Sequence, residues 1–247
     1  MRSYLKTPAL ILSGRDLNES DRLMSLLSRD LGRFSAVAKG AKRSTRRFAG
    51  CLELFSLVEA CLIDSGRGLL LLESCALLDP YPAIRADVAR YGHACFLCEM
   101  AKELFPEREP FAEAFNLLSH ALAELNAGGH ILSMSRMTEL RLLVVAGFAP
   151  QLGGCRRCQA PVGPQNMRFV PEQGSVFCPT CAPEGHAVDV SAGTLRLLME
   201  AARLDLAKLS RLHFSRWALD ESGRLLADFV RCTLRKDLKS RKFLESL

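Results

Sequence analysis

Cys155-Arg-Arg-Cys158 and Cys178-Pro-Thr-Cys181 are two Cys-x-x-Cys pairs separated by nineteen residues. Each short pair lets a tight turn present two sulfurs to one ion, and the chain between them folds back to complete a tetrahedron. The intervening segments are Met167-Arg-Phe-Val170, Pro171-Glu-Gln-Gly174 and Ser175-Val-Phe177. Two short alternating runs around a Pro/Gly turn predict a β-hairpin. The stretch therefore reads as a zinc ribbon, with one structural Zn2+ per chain held by Cys155, Cys158, Cys178 and Cys181. Four protein ligands leave no position for water, so such an ion shapes the fold and does no chemistry. Two disulfides would require an oxidising compartment, which nothing in the sequence suggests. Arg156, Arg157 and Arg168 stand close enough along the chain to offset the thiolate charge. His186 could serve as a substitute ligand, but a His in a Pro/Gly-rich loop reads first as a surface side chain.

On both sides of this ribbon, apolar residues recur with helical period. Ile84, Val88, Tyr91, Cys95 and Cys98 fall on one face of a helix that begins near Pro80 and ends at Pro106. Cys95 and Cys98 form a third Cys-x-x-Cys, but on a helix and with no partner pair, so they read as core. Phe111, Ala114, Phe115, Leu118, Leu122 and Leu125 mark a second helix, closed by Gly128-Gly129. A third runs from Ile131 to Ala146. All three read as amphipathic. Downstream, Ser191 is an N-cap candidate for a helix carrying Leu195, Leu198, Met199 and Ala202. A last helix covers Arg216 to Leu238, with Leu226, Phe229, Val230 and Thr233 inward. The ribbon, about residues 151–185, thus interrupts one helical domain spanning 81–247. From Arg231 to Lys242 there are six basic residues and one acid, which reads either as a polyanion patch or as a charged helix face.

Residues 1–80 have a different period. Ala9 to Ser13, Gly32 to Ala38, Leu54 to Ile63 and Leu69 to Leu78 read as strands, and Leu23 to Leu27 as a strand or a helical turn. Asp64-Ser-Gly-Arg-Gly68 is a hairpin turn by composition. Five strands in this length predict a five-stranded OB-fold barrel, with a small SH3-like barrel as the alternative. The fold class expected is α+β.

Between the third and fourth strands comes Lys39-Gly-Ala-Lys-Arg-Ser-Thr-Arg-Arg47, five of nine residues basic, within an acid-free stretch from Leu31 to Leu52. Arg offers phosphate a bidentate fork and Lys a point charge, so Lys39, Lys42, Arg43, Arg46 and Arg47 are the candidate nucleic-acid contacts. The alternative is a solvated loop. Phe34 and Phe48 flank it and are candidates either for base stacking or for the core. Asp16, Glu19 and Asp21 cluster in a strand connection and read as solvated acids.

The formal charge of +6 is modest for 247 residues. Its distribution is more telling, with residues 1–80 and 151–247 basic and the middle mildly acidic. That pattern suggests a polyanion partner for the two ends. Cys51, Cys61, Cys75, Cys95, Cys98 and Cys232 lie in apolar surroundings and read as buried free thiols. No signal-peptide h-region and no membrane-length apolar run is present, so the expectation is a cytoplasmic protein in a reducing compartment. No Walker A motif, no Gly-x-Ser-x-Gly and no His-Glu-x-x-His occurs, and no enzyme is expected.

The ordered set of segments resembles the RecO family of bacterial recombination mediators. Leu17-Asn-Glu-Ser-Asp-Arg-Leu23, Leu31-Gly-Arg-Phe-Ser-Ala-Val-Ala-Lys-Gly-Ala41, Glu139-Leu-Arg-Leu-Leu143, Gly147-Phe-Ala-Pro150 and the four cysteines carry the resemblance. It implies an N-terminal OB fold and a helical domain with a zinc ribbon. It also implies binding of single- and double-stranded DNA, strand annealing, and a complex with RecR. Together these would help load RecA onto DNA coated by single-stranded DNA-binding protein, without turnover, in the cytoplasm and associated with the nucleoid. The acidic, apolar tail of that binding protein is expected to dock on the helical domain, where Arg136 and Arg141 are the candidate cations. The alternative is an RNA-binding barrel with a ribbon for protein interaction, as in translation or transcription factors.

Overall fold

β1, Ser3–Asp16, is longer than its apolar run and pairs with two neighbours. Its first half lies antiparallel to β4, Leu57–Asp64, and its second half to β2, Arg22–Ser28. The two pairings overlap at Ala9 and Leu10, and the register with β2 shifts just beyond, between Ile11 and Ser13. β3, Gly32–Ala38, pairs with β2, and runs parallel to the start of β5, Leu70–Asp79. The computed structural model describes residues 3–44, 46–64, 66 and 68–246.

The strand order β1-β2-β3-β5-β4 closes on itself, and this OB fold leaves no open sheet edge. Leu23 to Leu27 is therefore strand. Alternation sends Ile11, Met24, Phe34, Val58, Leu62 and Leu72 inward. The segment after β3 folds back so that Phe48, Cys51 and Leu52 close the barrel interior. Phe34 and Phe48 are both core side chains, with no face free for a base.

Leu10, Leu12, Leu27 and Phe55 turn away from the barrel and join a second core, built on the helices. The helix expected from Pro80 is two: α1, Pro82–Ala86, and α2, Val88–Leu104. Extended Asp87 separates them (φ −130°, ψ 124°) and its carboxylate caps α2 by accepting from Arg90 N. The break rotates the face, and Val88 is 62% exposed. α3, Ala112–Ala127, ends on Gly128 at φ 86°.

α4, Ile131–Val145, is not amphipathic. From Ser133 to Leu143 only Arg136 escapes full burial. Its three hydroxyls all find partners, as buried groups must. The Ser133 hydroxyl accepts from Phe214 N, Thr138 donates to Met134 O, and Ser135 meets His93 Nδ1 at 2.9 Å.

The ribbon hairpin is β6, Met167–Val170, and β7, Ser175–Phe177, joined by a 3-10 turn and Gly174 at φ 57°. A third strand the sequence pattern did not show, β8, Val188–Val190, pairs with β6. α5, Ala192–Arg203, begins at Ser191, whose hydroxyl accepts from Thr194 N as expected. α6, Leu206–Leu209, leads to α7, Arg216–Leu234. The ribbon belongs to the helical core, since Phe169 of β6 meets Phe229 of α7 edge-on at 5.7 Å. The last helix expected to reach Leu238 instead stops at Arg235 (φ 54°), and α8, Lys239–Leu244, turns back onto α2. Glu99 of α2 accepts from Lys239 N, Ser240 N and the Ser240 hydroxyl, capping α8 from outside.

Cys51 and Cys98 are buried, Cys61, Cys75 and Cys95 are half-buried, and Cys232 is exposed, against the expectation for it. Burial pushes the Cys75 and Cys98 thiols well above their ordinary range, which makes them inert. Cys95 and Cys98 are core residues of α2.

The barrel is joined to the helices at one strand end. Arg33 Nε donates to Phe105 O, Arg33 pairs with Glu107 at 3.0 Å, and Arg108 N donates to Arg33 O. Gly32 lies at φ +66°, and a Cβ there would stand 1.7 Å from Glu109 O. Gly50 has a similar φ of +68° with nothing within 4 Å, so it isolates the backbone strain from the clash. Gly50→Ala should cost about 1 kcal/mol. Gly32→Ala should cost about 2–4 kcal/mol and lower the melting temperature roughly twice as far or more. Equal melting temperatures for the two variants would mean that the joint contributes nothing.

Candidate metal centre and nucleic-acid interface

The four ribbon sulfurs all lie within 4.8 Å of one another, and Cys158 Sγ and Cys178 Sγ are 3.9 Å apart. Metal–sulfur bonds of about 2.3 Å in a tetrahedron require sulfurs about 3.8 Å apart, so the cluster fits one thiophilic ion. Two knuckles place them. Cys155 N donates to Ala160 O and Gln159 N to Cys155 O, while Cys181 N and Ala182 N both donate to Cys178 O. Gly154 is required, because a Cβ there would lie 2.8 Å from Ala160 O.

Electrostatics inside the cluster are uneven. Burial pushes the Cys155 thiol up, but the N–H groups of Cys158, Cys178 and Arg157 outweigh it and pull it down to about 6. Cys181 is pushed up to about 12 by its contact with the Cys178 thiol, by burial, and by Cys158 and Cys155. Four crowded sulfurs resist sharing negative charge until a cation joins them. Two of the three arginines expected to offset that charge are engaged elsewhere. Arg156 donates to Gln173 O and the Ser175 hydroxyl, and Arg168 faces Asp189 at 3.8 Å. His186 Nε2 meets Asp228 of α7 at 2.8 Å and is no part of the cluster.

The basic loop after β3 is a folded turn, not a free one. Asp21 accepts from Gly40 N at 2.8 Å, and Lys42 N donates to Ser20 O. Lys42 Nζ reaches Asp16 at 2.7 Å and Asn18 O at 3.2 Å. Hydrogen bonding from Lys42 holds the Asp16 carboxyl below its usual range against desolvation, with the charges of Lys42 and Arg22 assisting. The Gly40 N–H, then Asn18, does the same for Asp21. Of the three acids read as solvated, Asp16 and Asp21 are the ones that position the loop. Arg47 donates to Lys39 O at 2.8 Å and lies 5.1 Å over the Phe48 ring, while Cys75 N of β5 donates to Arg47 O. All five cations are exposed. Among the described residues no carboxylate pairs with Lys39, Arg43 or Arg46. The sequence stretch is acid-free, but the space around Lys42 is not.

On the helical body, Glu139 of α4 is 0% exposed and bonds to both Arg136 and Arg241. These groups border a cavity of about 370 Å³, with Phe96, Leu132, Leu219 and Leu244 as its apolar walls. Arg136 Nε is buried without a partner among the described residues. His93, on the same wall, is held down to about 4 by burial, then by the Arg136 charge, with Glu139 opposing, so it is neutral at pH 7. Arg141 points elsewhere, donating to Leu204 O and facing Glu113 at 3.9 Å. The basic tail is largely paired within the fold. Arg231 pairs with Asp228, Lys236 with Glu103, Lys242 with Asp237, and Arg241 also lies over the Phe96 ring.

Barrel, helices and four-thiol ribbon define an OB-fold protein with a metal-competent helical companion. Two family models match, Recombination protein O N terminal over residues 1–81 and Recombination protein O C terminal over residues 85–242. A protein of Anaeromyxobacter sp. (strain K) called DNA repair protein RecO is 36% identical over 245 residues, 98% of this chain and 96% of that one. Proteins of the same name from Syntrophobacter fumaroxidans and Symbiobacterium thermophilum are 36% and 32% identical, over 97% and 96% of this chain and 96% and 95% of theirs. The chain belongs to the RecO family. No helix among the described residues is long and apolar enough to cross a membrane.

The cluster geometry sets one test. Stripping metal with a chelator should lower the melting temperature, and a thiophilic divalent ion should restore it, because ion binding is coupled to ribbon folding. Cys158→Ser should abolish the restoration. A stripped chain that melts like the loaded one would rule out a structural ion.

Proposed function

We propose that the chain is a DNA repair and recombination mediator that binds and anneals DNA strands without catalytic turnover. Its working units are the OB-fold domain, 1–80, and the helical domain, 81–247, with the ribbon insert at about 151–185. The ribbon holds one structural zinc, the ion to which a four-thiolate set is best matched. RecR, RecA and the single-stranded DNA-binding protein are its partners, and the nucleoid-associated cytoplasm is its site of action. Membership of the RecO family supports DNA over the RNA alternative. A binding role is supported by the buried carboxylates Glu139 and Glu221, both engaged in structural bonds.

The observation that carries the DNA reading is the loop itself: exposed Lys39, Arg43 and Arg46 project from a backbone held by Lys42 and Arg47. Single-stranded and double-stranded DNA both offer the phosphates such a loop binds without reading sequence. Each phosphate neutralised on a single strand contributes roughly −0.7 to the slope of log K against log salt. Replacing Lys39, Arg43 and Arg46 with Ala, which spares the two cations that hold the loop, should shallow that slope by about 2. Annealing of strands precoated by their binding protein should slow in parallel, with melting unchanged. Identical slopes for the variant and the native chain would place the DNA elsewhere.

The tail of single-stranded DNA-binding protein is assigned to the cavity beside Arg136, because that guanidinium has an unused donor and apolar walls around it. Arg141 is already engaged. Titration with a tail peptide should show at least about 10-fold weaker binding for Arg136→Glu, the loss expected of one charge-assisted contact. Unchanged affinity would move the docking site off this cavity.

A further inference from the structure

An acid-free basic segment of the helical domain runs from Leu206 to Leu219 and carries Lys208, Arg211, His213, Arg216 and Trp217. Trp217 is the chain's one tryptophan and is 66% exposed. Its neighbours on α7 explain the phase but not the residue. Ala218, Leu225 and Leu226 occupy the buried face, and Trp217 stands outside it. An indole normally contributes a large buried area; here its N–H is tied to the Glu221 carboxylate one turn on, while most of the ring is left in water.

The surrounding groups are complementary to one kind of ligand. Phe214 N donates to the Ser133 hydroxyl, which lays the start of α7 against the first turn of α4. At that junction the His130 and His213 rings meet with centroids 3.9 Å apart and planes tilted by 48°. Arg211 and Arg216 are exposed on either side of His213, and among the described residues neither meets a carboxylate. The surface thus combines an exposed indole, a pair of touching imidazoles and two guanidinium groups without a carboxylate partner among the described residues. Polyanion phosphates suit the guanidinium groups, and unstacked bases suit the flat rings. A duplex hides its base faces, and an acidic peptide lacks the regular alternation of phosphate and flat base that a single strand presents.

We propose that this end of the helical body, centred on Arg211, Arg216 and Trp217, is a second binding site for single-stranded nucleic acid, separate from the barrel loop. A base stacks on Trp217 while the two arginines hold flanking phosphates. The site uses no residue of the barrel, so it stands or falls apart from the loop proposal.

The lone indole is also the reporter. Titrating the metal-loaded full chain with a short oligothymidylate should quench Trp217 fluorescence, whereas polyphosphate of equal charge should leave it nearly unchanged. The same quench should persist when Lys39, Arg43 and Arg46 are replaced by Ala. Anisotropy of labelled oligothymidylate, measured in that barrel-loop variant, should weaken about 10-fold with Trp217→Ala and recover with Trp217→Phe, as stacking predicts. Arg211→Ala with Arg216→Ala should shallow the salt slope by about 1.4. Equal quenching by polyphosphate would refute stacking. Loss of the quench in the loop variant would refute a separate site. A quench by an acidic peptide with none by oligothymidylate would make this surface a protein dock and overturn the proposal.

Discussion

Glu139 is the charge around which the helical half is arranged. A carboxylate with no exposure survives only if its lone pairs are satisfied, and two guanidinium groups satisfy it, from Arg136 one turn away and from Arg241 102 residues on. The second contact explains several features at once. It requires the chain to reverse after α7, which Arg235 permits by adopting φ 54°. It brings α8 onto α2, where Glu99 caps it. It also opens the cavity beside Arg136, because α8 reaches across and does not fill the space. Removing the carboxylate would leave two cations half-buried and cost about 3–5 kcal/mol.

The ribbon and the barrel were legible because their signals are local. A Cys-x-x-Cys pair is two ligands in one turn, and its meaning does not depend on distant residues. Period-two alternation in Gly32–Ala38 and Leu57–Asp64 likewise records burial on one face. Legibility failed where a polar contact spans the fold. Nothing in Arg231 to Lys242 says that Lys236 will reach Glu103 or that Arg241 will reach Glu139. A cation run reads the same whether it faces phosphate or carboxylate. β8 was missed because three residues carry no usable period, and α4, read correctly as a helix, was misread as amphipathic because near-total burial erases the polar stripe.

The loop after β3 shows the same limit at close range. Its sequence neighbourhood is free of acid, yet Asp16 and Asp21 approach from the preceding strand connection. Their effect is to divide five cations into two kinds. Lys42 and Arg47 are structural, one bonded to Asp16 and one to Lys39 O. Lys39, Arg43 and Arg46 remain available. A loop held by its own charges loses less conformational entropy on meeting a ligand than a free one of equal composition, so fewer cations can achieve the same affinity. The resemblance segment from Leu17 to Leu23 contained the needed residues, Asn18 and Asp21, whose side chains order that turn.

The ribbon's position between α4 and α5 makes its metal chemistry a matter for the whole helical core. Of the four thiols only Cys158 is exposed; Cys155 is buried, and the sheet beside it contributes Phe169, Val176 and Val188 to the same core as α7. Gly174, the hinge of the hairpin, lies so close to Phe229 that a Cβ would stand 2.8 Å from the ring. Hairpin and helix therefore fix each other's place. A cation that ties Cys155 to Cys181 closes a loop whose sheet is already part of the core, so the restraint is transmitted to α7 through Phe169 and Phe229. α7 in turn anchors α5 through Glu221, which accepts from Ser191 N and the Ser191 hydroxyl. Two closely spaced cysteine pairs thereby stabilise a helical junction that contains neither of them.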